Sequence, residues 1–570
     1  MFNKAAEKTV STYLTFLIPF GALFLITDTV TDPVNVTKLA AIGAVGVALL
    51  IVFIAFASKG IFREYRWYLV TIGLFTIAML SAMLFSDAPF SQNFYGTYGR
   101  NTGFIAYFAL AGVSLGALLL QDKNNFKKAI WGLQVVGIVN VAYCAWVLAF
   151  GDFIGWSNPY GNILGLFGNP NFIGAFLGIF ISTLMAGVLG KGVSWVYRIA
   201  AVLVALLAFY EILESNAIQG IVVTAVGGVI VGFYWVRSRF TAKWVTYLYV
   251  ALTSVLGFVA LMGALQKGPM SFIYKRSVSL RGSYWDAAIS MGKEHPFSGV
   301  GLDTYGDFYR LERSVKAATT TPGVNTTTNA AHNVILDFFA NGGWPLLITY
   351  VAILGFGAWA ILRVTLRQRE YDPIFVSMAA IWICYQVQSV ISINQMGLAV
   401  WGWLFTGALL AYEFATREKE VQATEPASHT SKNSSKKGKS ANTGVISPAL
   451  VGGLGLVVGL ILCVPPLSAD TRWRSALASQ DATKVEAALV SGYLNPLSSQ
   501  RFAEATTLFA RNNLNEQALR TARKGVEFNK DYFNAWLLLW YLPNATAEEK
   551  AEALINLKRL DPLNPNPTAQ

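Results

Sequence analysis

One long stretch of this chain, residues 265–332, contains arginines and a histidine and runs directly into an apolar helix. Arg276 and Arg281 lie near its start, and His332 is its last residue. A guanidinium group binds phosphate oxygens through paired hydrogen bonds and stabilises the charge of a diphosphate leaving group. An imidazole exchanges protons near neutral pH and can remove one from an attacking hydroxyl. These residue types therefore fit transfer from a lipid-anchored diphosphate, a reaction that needs no metal ion.

The sequence gives no indication of a metal site. It has no HExxH motif, no cluster of cysteine and histidine, and no convincing pair of acidic residues. Asp303 and Asp307 are four residues apart, and we expect them to be solvated or to pair with an arginine. Cys144, Cys384 and Cys463 lie in apolar runs, where they are expected to be small buried side chains. We therefore expect no metal and no cofactor.

Membrane-spanning helices are the elements that must position these groups. Of the 570 residues, 54% are hydrophobic and only 13% are charged, about half the charge of a typical globular chain. A helix needs about 20 apolar residues to cross a bilayer, because no water satisfies its backbone there. The sequence predicts an all-α, polytopic transmembrane bundle. We place about thirteen spans near 11–27, 37–57, 67–85, 103–120, 129–150, 172–189, 196–213, 217–236, 244–264, 333–362, 374–393, 398–416 and 446–466.

Basic residues divide the connecting segments into two alternating sets. By the positive-inside rule, the basic set is cytoplasmic, which places the amino terminus inside and the carboxyl terminus outside. The excess of 44 basic over 32 acidic residues is therefore mainly a topology signal, and we expect no nucleic-acid partner. The basic set contains Lys59, Arg63, Arg66, Lys123, Lys127, Lys128, Lys191, Arg198, Arg237, Arg239, Lys243, Arg363, Arg367, Arg369 and the run from Lys432 to Lys439.

The opposite, extracytoplasmic side carries the longer connections. Loops on a rigid scaffold often carry function, so the long loop 265–332 is the expected catalytic loop. It begins with an amphipathic stretch and closes with His332 at the outer end of a span, where lipid headgroups lie. The segments on this side are 28–36, 86–102, 151–171, 265–332 and the carboxyl-terminal domain 467–570.

Five short motifs in order along the chain resemble the O-antigen ligase and polymerase superfamily. The resemblance covers roughly residues 10–415. It departs from the family after residue 213, where members often carry Ser-Arg and this chain has Glu214-Ser215-Asn216-Ala217, so that an arginine contact is missing or supplied from elsewhere. The motifs are Gly96-Thr97-Tyr98-Gly99-Arg100-Asn101-Thr102-Gly103, Gly168-Asn169-Pro170-Asn171-Phe172-Ile173-Gly174, Arg281-Gly282-Ser283-Tyr284-Trp285, Pro296-Phe297-Ser298-Gly299-Val300-Gly301-Leu302 and Ala331-His332-Asn333.

The resemblance implies a metal-independent glycosyltransferase in the bacterial cytoplasmic membrane. Its donor would be a polyprenyl-pyrophosphate-linked oligosaccharide and its acceptor a hydroxyl of a glycan, lipid or protein. By this analogy His332 activates the acceptor hydroxyl, and Arg281 binds the pyrophosphate. Arg276 and Arg100 are further candidates for the pyrophosphate. Asn169 and Asn171 are candidate substrate contacts, although local capping of the next span is their more ordinary role.

Composition changes along the carboxyl-terminal part of the chain. In its last domain, three similar turns recur at spacings of 34 and 32, a period that resembles tetratricopeptide repeats. Such repeats offer a concave surface to a protein partner or acceptor, and structural capping of the membrane domain is the alternative. The turns are Asn495-Pro496-Leu497, Asn529-Lys530-Asp531 and Asp561-Pro562-Leu563. The predicted divisions are a membrane domain 1–416, a flexible basic cytoplasmic linker 417–445 that touches membrane lipids, a span 446–466 and the repeat domain 467–570.

Three other functions fit parts of this pattern. An O-oligosaccharyltransferase of the same superfamily would transfer its glycan to a protein hydroxyl. A transporter of lipid or polysaccharide would show repeated sets of spans and ionisable groups at mid-membrane, whereas the charges of this chain lie in its loops. An assembly scaffold that acts only through the repeats would leave His332 and Arg281 dispensable.

Overall fold

The computed structural model describes residues 3–424 and 446–568. Within these ranges all regular structure is helical, apart from one isolated bridge between Gly492 and Asn495, and the predicted polytopic helical bundle is confirmed. Ten of the described helices are long and apolar enough to cross a bilayer. They are Asn35–Phe56, Arg66–Phe85, Lys123–Phe150, Pro170–Val188, Trp195–Glu214, Ile218–Arg239, Lys243–Ala264, Val334–Arg367, Pro373–Val390 and Met396–Thr424.

The other three predicted spans have a different construction. The span predicted at 103–120 is the short helix Phe104–Ala117. The span predicted at 446–466 is the helix Pro448–Cys463, which we call the last span. The chain bends by 46° between this helix and the following helix Pro465–Ala478. Two prolines begin that helix, and proline lacks the N–H that would continue the hydrogen bonds of the last span. The first predicted span consists of Lys4–Thr12, a π-helical turn Tyr13–Leu17 and Ile18–Leu23.

Short helices occupy the connections, and a separate group forms the carboxyl-terminal domain. The connecting helices are Lys59–Glu64, Phe90–Tyr95, Gly165–Phe167, Ser271–Ile273, Arg276–Glu294, Tyr305–Glu312 and Val315–Thr319. After Pro465–Ala478 the domain continues with Ala482–Ala488, Ser499–Arg511, Asn515–Phe528, Phe533–Tyr541 and Ala547–Leu560. These helices enclose a core of their own that includes Trp473, Phe502 and Trp536. Most of the predicted linker, 425–445, lies outside the described residues.

The two predicted sets of connections lie on opposite faces of the bundle. On one face, which we call the basic face, Lys123 pairs with Asp372 at 2.7 Å and Arg367 pairs with Glu413 at 3.1 Å. On the other, which we call the loop face, the Asn35 side chain donates to the carbonyl of Gly99 at 2.7 Å. The carboxyl-terminal domain packs on the loop face, so the helices separate the basic loops from the long ones.

Small residues bring three helices into close contact. A Cβ atom at Gly46 would lie 2.2 Å from the carbonyl oxygen of Ala109, so Asn35–Phe56 touches the backbone of Phe104–Ala117. A Cβ atom at Gly459 of the last span would lie 2.5 Å from the carbonyl oxygen of Ala44. Small residues allow such contact, and close packing drives helix association in lipid. The last span is therefore an integral part of the bundle.

The helix after the predicted catalytic loop differs from the continuous span predicted at 333–362. Val334–Arg367 is interrupted at Gly343, whose φ of 62° and ψ of −160° are not helical. The turn after His295 lies against this break, because the Trp344 N–H donates to the Pro296 carbonyl at 2.8 Å and the Val300 N–H donates to the Ala340 carbonyl at 2.9 Å. The motif that begins at Pro296 thus anchors the loop to the interruption in the span.

The carboxyl-terminal domain is joined to the catalytic loop by buried ionic groups. Asp561 accepts a hydrogen bond from Arg310 at 3.0 Å and a second from Arg313, and all three side chains are buried. The side chain of Asn529, at the preceding repeat turn, donates to Asp307 at 3.1 Å. Two of the three repeat turns therefore contact Tyr305–Glu312 and the residue that follows it.

Candidate active site

The loop 86–102, on the loop face, wraps around Asp303. One carboxylate oxygen of Asp303 accepts the N–H of Thr97 at 2.9 Å and the hydroxyl of Thr102 at 3.0 Å. Gly96 has a φ of 90°, and a Cβ atom there would lie 2.6 Å from the Asp303 carboxylate and 2.4 Å from the Thr102 nitrogen. Only glycine fits this backbone without strain. Asp303, which is buried, is thus the anchor of the Gly96–Gly103 motif.

Arg100 is fixed by this loop in a buried position. Its Nε atom lies 3.4 Å from Asp303, and its Nη1 atom donates to the carbonyl of Asn329, three residues before His332. Burial opposes the charge of Arg100, but Asp303 and Asp337 outweigh burial, so the pKa of Arg100 is raised. The guanidinium group therefore stays charged and connects the loop 86–102 to the end of the catalytic loop.

His332 lies in a turn that is held at both sides. The preceding N–H, of Ala331, donates to Asp337 at 2.8 Å, and the following residue, Asn333, caps the span by accepting the N–H groups of Ile335 and Leu336. His332 itself has a φ of 54°, an uncommon conformation for a residue with a side chain. Such local strain persists only where the surroundings enforce it, and here the hydrogen bonds of Ala331 and Asn333 hold the turn on both sides.

The surroundings of His332 keep its imidazole neutral. Burial, Arg281 and Arg100 together lower the pKa of His332 to about 4. Its ring centroid lies 5.6 Å from that of Tyr284, and no hydrogen bond among the described residues uses either ring nitrogen. At neutral pH one nitrogen of His332 is therefore free to accept a proton.

Arg281 extends from the helix Arg276–Glu294 near the imidazole. Burial lowers its pKa, with Tyr284 acting in the opposite direction. No carboxylate among the described residues, including that of Asp286 on the same helix, lies within ion-pair distance of Arg281. A half-buried cation without a counter-ion is suited to bind an anion. The side chain of Arg276 lies outside the described residues.

A cavity of about 610 Å³ opens beside His332 on the loop face. Arg100 and Asn169 also line it. Asn169 caps Pro170–Val188 by accepting the N–H of Asn171 at 2.9 Å, and it donates to Tyr160 at 3.1 Å. Its capping role is therefore combined with a place in the cavity wall. Asn171 is exposed and does not line the cavity, so the structure separates two residues that the sequence treats as a pair.

The segment that departs from the family motif contacts a lysine from the catalytic loop. Asn216 has a φ of 53° and donates to Asn162 at 2.9 Å. The Nζ atom of Lys275 donates to the Asn216 carbonyl at 3.2 Å. Lys275 therefore places a cation beside this segment, in which the sequence has no arginine.

Several residues of the site are not apparent from sequence. Asp337 is an acidic residue inside an apolar span, which is a recognisable signal of function. Asp307 is half-buried and accepts hydrogen bonds from the side chains of Gln92 and Asn529 rather than from an arginine, and desolvation raises its pKa to about 7. Asp32 lines the cavity and no feature of the sequence singled it out. Among the described residues, no group of three or more histidine, cysteine, aspartate or glutamate side chains is arranged to hold a metal ion.

Comparison with known proteins gives one match. Residues 201–351 match a family model described as O-antigen ligase. The matched segment contains Arg276, Arg281 and His332 but neither Arg100 nor Asn169. The match supports the ligase and polymerase superfamily and, at family level, glycan transfer by a multi-pass membrane protein. A search of curated proteins finds no match.

Proposed function

We propose that the protein transfers a glycan from a polyprenyl-pyrophosphate donor to an acceptor hydroxyl, with His332 as the general base. The observation that carries this proposal is the neutral imidazole of His332 at the wall of the cavity, where burial, with smaller contributions from Arg281 and Arg100, lowers its pKa to about 4. The arrangement combines a proton acceptor with cations that suit a diphosphate. Family-level similarity to O-antigen ligase supports the same chemistry.

The proposed step is a single displacement at the anomeric carbon of the donor. The acceptor hydroxyl gives its proton to a ring nitrogen of His332 as its oxygen forms the new bond to that carbon. The bond from the anomeric carbon to the diphosphate oxygen breaks, and its electron pair leaves with the diphosphate. Arg281 and Arg100 stabilise the negative charge that grows there. The bound diphosphate also offsets these two cations, which makes the imidazole a stronger base than it is in the empty site.

We further propose that the loop face is extracytoplasmic and that the membrane is the bacterial cytoplasmic membrane. Lysines and arginines recur in the short loops of the basic face, and short cytoplasmic loops are enriched in these residues. The amino terminus is then cytoplasmic and the carboxyl-terminal domain extracytoplasmic. That domain, with its three related turns, is proposed to be tetratricopeptide-like and to dock against the catalytic loop.

Purified protein in lipid nanodiscs, supplied with a polyprenyl-pyrophosphate oligosaccharide and an acceptor, tests the proposal. We expect turnover by wild type to be unaffected by a chelator. We expect His332→Ala to lower turnover about 10²–10⁴-fold, the usual contribution of a general base. Arg281→Ala should lower it about 10²–10³-fold, as loss of a leaving-group contact does. His295→Ala, an exposed histidine of the same loop, is the matched control. Turnover that survives His332→Ala would refute the proposed base.

The acceptor class is resolved in the same assay by offering three acceptors in parallel. A glycan, a lipid-linked core sugar and a protein with an exposed serine each present a hydroxyl. All three require the same base, so His332→Ala should abolish whichever transfer occurs. Transfer to the protein alone would identify an O-oligosaccharyltransferase.

A further inference from the structure

The helix Pro465–Ala478 reaches from the last span to the edge of the cavity. Asp470, on this helix, accepts the N–H groups of Thr31 and Asp32 at 2.8 and 2.9 Å and the hydroxyl of Tyr98 at 2.8 Å. Asp470 is fully buried, and Arg501 of the carboxyl-terminal domain lies 3.4 Å from it. The helix is therefore fixed to two loops that border the cavity.

Arg474 follows Asp470 by one helical turn and so lies on the same helix face. Its side chain lines the cavity together with His332, Arg100 and Asn169. The rotation of the helix is set by Trp473, which is buried and donates from its ring nitrogen to Glu504 at 3.0 Å. Arg474 is thus directed to the cavity by packing of its neighbours.

Arg474 has no partner within the described part of the chain. It makes no ion pair or hydrogen bond there, and it is exposed. Arg100, by contrast, is already paired with Asp303. The one carboxylate among the described cavity-lining residues is Asp32, which uses one oxygen to cap the helix at Val34 and Asn35. Burial raises the pKa of Asp32, and no ion pair joins Asp32 to Arg474 in the described part of the chain.

We infer that Arg474 binds the diphosphate of the glycan donor, so that the carboxyl-terminal domain supplies a substrate-binding residue to the site. A guanidinium group held at a cavity wall, with its donors free, is suited to bind two phosphate oxygens at once. The inference rests on the proposed function for the choice of donor. It places part of the donor site more than a hundred residues beyond the segment that matches the family.

Steady-state kinetics with donor and acceptor varied separately test this assignment. We expect Arg474→Ala to raise the KM for the donor about tenfold to a hundredfold, the effect of losing a hydrogen bond to a charged group. Its kcat should stay within a few-fold of wild type, and the KM for the acceptor should not change. Arg474→Lys should restore part of the affinity. Arg472→Ala, an exposed arginine on the same helix that does not line the cavity, should behave as wild type.

The possible outcomes separate this inference from the proposed function. An unchanged donor KM in Arg474→Ala, with active wild type, overturns the inference alone. A raised KM for the acceptor alone would assign Arg474 to an anionic group on the acceptor and also overturn it. Should wild type show no turnover, the proposed function fails, and direct binding of undecaprenyl diphosphate to wild type, Arg474→Ala and Arg472→Ala still decides whether Arg474 holds a lipid diphosphate. Equal binding by all three would refute the assignment.

Discussion

Asp561 is the residue whose replacement should most clearly separate the carboxyl-terminal domain from the catalytic loop. Its carboxylate contacts Arg310 and Arg313, and the exposed fractions of the three side chains are 0%, 9% and 0%. Asp561→Asn keeps the shape but removes the negative charge that both buried guanidinium groups contact. Breaking a buried ion pair by removing one partner costs about 3–5 kcal/mol.

The matched control is Asp531→Asn, which breaks an ion pair within the same domain. Asp531 lies 2.8 Å from Arg559, but the side chain of Arg559 is 46% exposed. Solvent screens such a pair, so its loss costs at most about 1 kcal/mol. The two variants remove the same group and differ mainly in the burial of the partner.

Hydrogen exchange of the purified protein in nanodiscs measures the difference. A loss of 3–5 kcal/mol raises the population of the opened interface about 10²–10³-fold or more, so amides in Tyr305–Glu312 and Ala547–Leu560 should exchange faster in Asp561→Asn by that factor. In Asp531→Asn they should exchange within about fivefold of wild type, the factor that corresponds to about 1 kcal/mol. Equal protection of these two helices in both variants would refute the reasoning that the buried ionic cluster holds the domain in place.

Two further predictions concern the site itself. Because His332 must be neutral to accept a proton and its pKa is lowered to about 4, kcat/KM should be constant from about pH 5 to 7 and fall as the pH drops through 4. Arg281→Ala removes one of the cations that lower the pKa of His332. As the pH falls, the residual activity of this variant should therefore be lost at a higher pH than the activity of wild type. An unchanged pH dependence on the acid side would contradict the assignment of His332 as the base. Gly96→Ala should lower thermal stability by about 1–3 kcal/mol, because the residue has a positive φ and no space for a Cβ atom. Gly282→Ala, in a helix with open space around it, should leave the melting temperature unchanged or raise it.

The helical bundle could be predicted from sequence because membrane spans are continuous apolar runs and their connections alternate in charge. The path of the backbone within an apolar run is harder to predict from the sequence. The interruption at Gly343 depends on the Pro296 turn that lies against it, a contact between residues far apart in the chain. The short helix Phe104–Ala117 likewise depends on how closely its neighbours pack. Hydropathy reports the length of an apolar segment but not the path of its backbone.

The site was partly predictable for a similar reason. His332 stands out because it lies at the end of a span, and Arg281 because it lies in the long loop. The pairing of Arg100 with Asp303 joins residues about two hundred positions apart, which no local pattern reveals. The sequence does not distinguish Arg474 from Arg472, because both lie on the same polar part of one helix. Only the buried contacts of Asp470 and Trp473 show which of the two faces the cavity.

The packing of Asn35–Phe56 against the last span has a consequence for the biogenesis of the protein. Roughly four hundred residues separate these two helices, and a ribosome adds about 5–20 residues per second. The surface around Ala44 therefore faces lipid or the insertion machinery for roughly 20–80 s before its partner is synthesised. Truncation before Pro448 would leave this surface permanently without the helix that packs on it.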